Sequence, residues 1–214
     1  MTAEEVAQFF RTHPQFFDQH PELLESIHVP HPYGGRAIPL AERQTVALRE
    51  KVKLLEGRLA ELIQFGEEND AISEKVHRLA VALAAARDFP ALVHSLYFHL
   101  REDFAVPHVA LRVWGKSVPA DFEEARAVEE AQRRHAETLG APQCGPAAGN
   151  PFLAWFGEAG EHVRSVALVP LGQTTAFGLL ALGSEDAKRF YPEMGTLYLR
   201  RIGELCAAGV TARL

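Results

Sequence analysis

The stretch VRSVALVPLGQTTAFGLLALGS, residues 163–184, decides how the carboxy-terminal half of the chain folds. Two apolar runs, 163–171 and 176–183, flank the link Gly172-Gln173-Thr174-Thr175. Short runs rich in Val and Leu around a Gly-bearing link read as a β-hairpin, because Gly absorbs the backbone angles that reverse the chain. The longest apolar stretches, 166–171 and 177–182, fall far short of the ~20 residues that a bilayer-spanning helix needs. No helix of this sequence is expected to cross a membrane.

Upstream of the hairpin the apolar period is again two. Between Val106 and Trp114, Val109, Leu111 and Val113 share one face of a strand, and His108, Ala110, Arg112 and Trp114 share the other. Before this strand, Asp88 stands where a helix needs a side-chain cap, ahead of Leu92, Val93, Leu96, Leu100 and Phe104 at helical spacing. After it come a charged helical stretch from about Asp121 to Leu139 and a Gly-, Ala- and Pro-rich loop through Asn150. A last helix, Pro192 to about Thr211, presents Met194, Leu197, Tyr198, Ile202 and Leu205. Strands among segregated helices, without regular βα alternation, predict an antiparallel sheet and the α+β class.

Residues 41–86 read as one long helix. Leu48, Val52, Leu55, Leu59 and Leu62 step by four, three, four and three residues, which lays an apolar stripe along a helix at a period of about 3.5. Ile72, Val76, Leu79 and Leu83 resume the rhythm after a ten-residue step, and Gly66, Asn69 and Ser73 occupy the seam that the first register would continue, a stammer that should overwind a coil. At 1.5 Å per residue the helix would be roughly 69 Å long, too long to pack wholly on one small domain. Each seam leucine moved out of water contributes roughly 1.5–3 kcal/mol, whereas an isolated helix is marginal. The nine residues from Leu48 to Leu83 are therefore expected to form the seam of a homodimeric coiled coil, parallel or antiparallel. The alternative is that the stripe folds back on the amino-terminal helices of its own chain.

Those helices are announced by a short repeat in residues 1–40: His13-Pro14-Gln15-Phe16-Phe17-Asp18, then His20-Pro21-Glu22-Leu23-Leu24-Glu25. Proline suits a helix's first turn, where its missing N–H loses no bond, and the apolar pair that follows supplies a packing face. His13, His20, His28 and His31 raise the question of a metal, but their spacing matches no ligand pattern and no cysteine joins them, so they read as turn and helix-start residues. Val29 to Pro39, with three prolines and Gly34-Gly35, reads as a connecting loop. The organisation is thus 1–40, short helices and loop; 41–86, coiled-coil helix; and 87–214, the sheet-bearing domain.

The whole chain, 214 residues at 47% hydrophobic and 23% charged, is ordinary for a folded protein. The first ten residues carry Glu4 and Glu5 and lack a signal peptide's basic start and apolar middle. Two cysteines, Cys144 and Cys206, give no disulfide framework, which fits a reducing, cytoplasmic setting. A net charge of -6 repels phosphate, so direct nucleic-acid binding is not expected.

Ser165-Val-Ala-Leu-Val-Pro-Leu-Gly172, Phe177-Gly-Leu-Leu-Ala-Leu-Gly-Ser184 and Phe190-Tyr-Pro-Glu193 resemble the central hairpin and final-helix approach of a GAF domain. With the paired His-Pro units, Ile27-His-Val-Pro-His31, Leu40-Ala-Glu-Arg-Gln44 and Leu48-Arg49, nearly the whole chain resembles a proteobacterial family of unknown function that joins a coiled-coil leader to a GAF-like domain. The resemblance implies architecture and brings no activity with it. It also implies where a ligand would lie, between the sheet and the segment crossing it, which points to Arg112, Trp114, Phe152, Trp155, Phe156, Ser165 and Phe177. An apolar-aromatic pocket with a few polar groups is the usual form of a small-molecule site, and the other reading is a filled core. Arg112 either meets solvent or offers a cation to an anionic ligand.

No catalytic constellation stands out. Gly115-Lys116-Ser117 lacks the upstream glycine of a phosphate loop, because position 110 is Ala. Gly183-Ser184-Glu185 lacks the second glycine of a nucleophile elbow, Glu161-His162 is isolated, and no His-Glu-x-x-His pair exists. Cys144, before Gly145-Pro146 in an expected exposed loop, is the one candidate reactive thiol, whereas Cys206 falls on an apolar helix face. Some GAF-like proteins reduce oxidised methionine with clustered cysteines, and this chain departs from that pattern. The expected function is a non-catalytic regulatory homodimer whose domain binds a small molecule or a protein; as the chain ends just past the domain, its effector is expected in trans. The alternative is a coiled-coil scaffold or adaptor with a structural domain. The sequence leaves any cofactor unknown.

Overall fold

The computed structural model describes residues 2–29, 38–115, 118–172 and 175–214, in two compact units that divide at Glu67/Glu68. His31, Gly34 and Gly35, the phosphate-loop candidates Lys116 and Ser117, and Gln173 and Thr174 of the hairpin link lie outside the described residues.

In the amino-terminal unit three short helices follow one another: α1 (Ala3–Thr12), α2 (Phe16–Gln19) and α3 (Pro21–Ser26), the last with Pro21 in its first turn. The start of α1 is a reciprocal cap. The Thr2 side chain accepts from the Glu5 N–H at 3.2 Å, and the Glu5 carboxylate accepts from the Thr2 N–H at 2.7 Å, satisfying two donors that the helix cannot use. Phe9, Phe10, Phe16 and Phe17 meet ring to ring. His13 stacks on Phe9, and His20 sits 3.2 Å from Glu22, so both serve local turns. Antiparallel backbone pairs join β1 (His28–Val29) to β2 (Ile38–Pro39), and helix α4 (Leu40–Ala85) follows.

The expected long helix is present, but its stripe has two environments. Leu48 is 62% exposed and Leu62 66%, with Val52, Leu55 and Leu59 also exposed, so the amino-terminal helices do not cover them. Leu79 is fully buried, Val76 and Leu83 are nearly so, and Ile72 packs on the same cluster. The expectation of one intermolecular seam from Leu48 to Leu83 is corrected at Ile72, Val76, Leu79 and Leu83, which fill the core of their own domain. The polar residues inside the expected stammer mark the change of environment: the Tyr198 hydroxyl lies 3.0 Å from the Ser73 hydroxyl and donates to the Asn69 carbonyl at 3.0 Å.

The carboxy-terminal unit is built on a four-stranded antiparallel sheet in the order β3 (His108–Val113), β6 (Gly178–Ser184), β5 (Ser165–Leu171), β4 (Gln143–Pro146). The hairpin β5–β6 is its centre, with Ser165 opposite Ser184 and Leu171 opposite Gly178. Strand alternation sorts the side chains as expected. Val109, Leu111 and Val113 join Ala167, Val169, Leu171, Leu180 and Leu182 against α5 (Phe89–Glu102), α7 (Leu197–Thr211) and the end of α4. Asp88 caps α5 by accepting from the Ala91 N–H at 2.8 Å. Gly203 permits the approach of α7 to the sheet, since a Cβ there would lie 2.6 Å from a methyl of Val169. Arg213 then holds the end of α4, donating to the carbonyls of Leu83 at 2.8 Å and Ala86 at 2.6 Å, which are orphaned acceptors at a helix C-terminus.

Three expected elements differ. The stretch 121–139 is not one helix but a 3-10 turn, Glu123–Ala125, followed by α6 (Glu130–Thr138), because Glu123 and Glu124 are drawn into contacts with other elements. The loop before Asn150 contains β4, an edge strand short enough to tolerate Gly145 and Pro146. The last helix starts at Leu197, and Pro192 and Gly195 lie in the turn before it.

Leu79→Ala should lower the unfolding free energy by about 2–5 kcal/mol, the range for emptying a fully buried leucine site. Urea denaturation of the two proteins checks it, and a change under about 1 kcal/mol would contradict the burial of α4 in the domain.

Candidate functional site

The second face of the sheet is covered by α6 and by a 3-10 segment, Pro151–Glu161. Asn150 starts that segment by accepting from the Phe152 N–H at 3.0 Å. Gly157, at φ 61°, kinks it with a backbone conformation that side-chain-bearing residues avoid. Phe152 is fully buried against Ala110, Trp114, Leu168, Leu179 and Ala181. Trp155 closes over Phe152 edge to face, its centroid 5.0 Å away, and its indole N–H donates to Gln132 at 3.2 Å. Gln132 in turn donates to the Pro151 carbonyl at 2.8 Å, which ties α6 to the segment. The Trp114 indole N–H donates to the Ala176 carbonyl at 3.0 Å. This layer is a filled core.

Arg112 lies at its margin, 4% exposed. The guanidinium donates to the Leu111 carbonyl at 2.9 Å and to Glu123 at 3.0 Å, and it sits 5.5 Å from the centre of the Trp155 ring. The cation is held by its own chain. Beside it, the Tyr97 hydroxyl donates to buried Glu124 at 2.7 Å and accepts from the Leu111 N–H at 3.2 Å, satisfying an outward-facing donor of edge strand β3. Burial, reinforced by the neighbouring Glu124 carboxylate, raises the Tyr97 pKa well above its ordinary value of 10.0.

Outside this network a groove of about 290 Å³ opens along β3, lined by Tyr97, Arg101, His108, Arg112, Trp155 and Phe156. The seven residues expected to surround a ligand therefore do not form one site. Arg112, Trp155 and Phe156 line the groove, whereas Trp114 and Phe152 form the packed layer behind it. Ser165 and Phe177 are corrections. Alternation along β5 puts Ser165 on the helix side with Ala167, where its hydroxyl donates to the Asp186 carbonyl at 2.6 Å and accepts from the Phe190 N–H at 3.3 Å. Phe177 precedes β6 and packs with the helix-side core. Tyr97, Arg101, Glu123 and Glu124 were not legible as site residues, because they read as ordinary members of charged or amphipathic helices.

Cys144 is corrected too. It lies in β4 and is buried, and burial raises its thiol pKa, the opposite of an activated nucleophile. Cys206 is completely enclosed and pushed up to about 12. Among the described residues no group of three or more His, Cys, Asp or Glu side chains is placed to hold a metal ion, and no described helix is long and apolar enough to cross a membrane.

An antiparallel sheet with helices on one face and a kinked 3-10 crossing on the other defines an α+β domain. Among solved structures it is similar to an nlh2 GAF domain of A. aeolicus, with TM-score 0.48 and 12% identity over 68% of this chain and 99% of that one. It is likewise similar to a GAF domain from Pseudomonas syringae pv. tomato, with TM-score 0.47 and 19% identity over 70% of this chain and 91% of that one. The family model described as "Protein of unknown function, DUF484" matches residues 1–211, and the chain belongs to that family. Relatives include the uncharacterized protein YigA of Salmonella typhimurium and that of Escherichia coli K12, each 26% identical over 204 residues, 92% of this chain and 86% of theirs.

Tyr97→Phe should cost about 1–3 kcal/mol near neutral pH, because it leaves Glu124 and the Leu111 N–H without their partner. The raised Tyr97 pKa gives stability that is complete below the unfolded value of 10.0 and is lost as pH rises beyond it, since the unfolded chain releases the proton first. The wild-type advantage over Tyr97→Phe should therefore shrink above pH 10 in urea titrations. Equal stability of the two proteins at pH 8 would contradict the network.

Proposed function

We propose that this protein is a non-catalytic regulatory protein that works as a homodimer. Two copies pair through the exposed apolar face of α4 between Leu48 and Phe65, and the groove beside Arg112 binds a small molecule or a short segment of a partner. Occupancy is relayed through α4 to a separate effector protein. The observation that carries this reading is the split along α4: the domain covers the stripe from Ile72 onward and leaves Leu48, Val52, Leu55, Leu59 and Leu62 in water. Exposure of five large apolar side chains in one row marks an association surface.

The groove supports an anionic ligand class. Arg101 borders it together with the aromatic edges of Tyr97, Trp155 and Phe156, whereas Arg112 is held by Glu123 and His108 lies 3.3 Å from Glu185, so Arg101 is the cation on which this reading rests. A volume of about 290 Å³ is at the low end for ligand sites, which suits a small acid or a phosphorylated metabolite fragment. The filled layer behind the groove favours a second reading, an adaptor whose domain is structural and whose helices carry the partner contacts.

Native mass spectrometry after incubation with a metabolite extract tests the ligand. A retained small acid that is lost in Arg101→Ala supports sensing, and no retained mass leaves the adaptor. Leu55→Asp combined with Leu59→Asp should convert a dimer to a monomer in light scattering without changing the domain's near-ultraviolet circular dichroism. An unchanged mass would overturn the proposed interface.

A further inference from the structure

We infer that the two α4 helices pair parallel and in register over residues 48–62, with Lys51 of each copy meeting Glu56 of the other. The inference rests on the homodimer proposed above and adds its geometry. In heptad terms Leu48, Leu55 and Leu62 occupy d positions and Val52 and Leu59 occupy a positions, so Arg49, Glu56 and Ile63 fall at e and Lys51, Arg58 and Phe65 fall at g. All of these side chains are exposed.

Parallel pairing stacks each seam residue on its own copy, so all five apolar layers form. It also brings each g residue to the e residue five positions on in the second copy. Lys51 then faces Glu56 twice, and Arg58 faces the uncharged Ile63. Antiparallel pairing sets a against d, and in either register that spans most of the stripe only four layers form. In one register Arg58 faces its own copy and Glu56 faces its own copy. In the other, Lys51 faces Arg58, which cancels what Arg49 gains from Glu56. Charge and layer count thus select the parallel arrangement, and Val52 at an a position with Leu at d is the pattern of two-stranded parallel coils. The pairing must end near Phe65, because Asn69 and Ser73 are engaged by Tyr198 of their own domain.

Cysteine cross-linking in the full chain tests this, since Cys144 and Cys206 are both buried. Leu48→Cys and Leu62→Cys, oxidised separately at micromolar concentration, should each give a disulfide-linked dimer, because only parallel in-register helices place either position against itself. A dimer by sedimentation in which neither variant cross-links would overturn the parallel register while leaving the homodimer standing. A monomer by sedimentation would overturn both. As a second readout, Lys51→Glu should weaken dimerisation about tenfold, and adding Glu56→Lys should restore it. Failure of the double variant to restore affinity would contradict the Lys51–Glu56 pairing.

Discussion

The burial of one helix half inside a domain is the constraint on which the rest of the structure depends. Ile72, Val76, Leu79 and Leu83 of α4 supply the helix-side core together with Leu92, Leu96, Ile202 and Val210, and the central hairpin packs against that layer. Arg213 fastens the same helix end by four hydrogen bonds to the carbonyls of Leu83, Ala84 and Ala86. Because this half is committed to its own domain, the apolar stripe farther up the helix cannot be satisfied by the same surface.

Much of the architecture was legible because periodicity is a strong signal. Val109, Leu111 and Val113 alternate with Ala110, Arg112 and Trp114, and the hairpin runs are bounded by Gly172, so both face and pairing could be read. The seam of α4 was legible as an apolar row, but a row does not say what covers it. The same four- and three-residue steps leave Leu55 and Leu59 exposed and place Val76 and Leu79 in a domain core. The polar interruption at Asn69 and Ser73 was the available clue, since it marks where the domain begins to cover the helix.

The site was less legible, because it is made by tertiary pairings. Nothing in a helical run tells that Glu124 will be buried under the hydroxyl of Tyr97, or that Glu123 will neutralise Arg112. These contacts break the expected helix at 121–139 and turn a hypothetical open pocket into a packed layer with a groove at its margin. Ser165 likewise looked available until its neighbours along β5 placed it on the helix side, where it holds the turn at Asp186 and Phe190.

The structure buries α4 from Ile72 to Leu83 in its own domain, and we propose that a second copy covers Leu48 to Leu62. Hydrogen exchange along α4 at two protein concentrations tests it most directly. The account predicts protection of residues 72–83 that is independent of concentration and protection of residues 48–62 that falls on dilution. Protection of both stretches that is unaffected by dilution from a demonstrated monomer would contradict it.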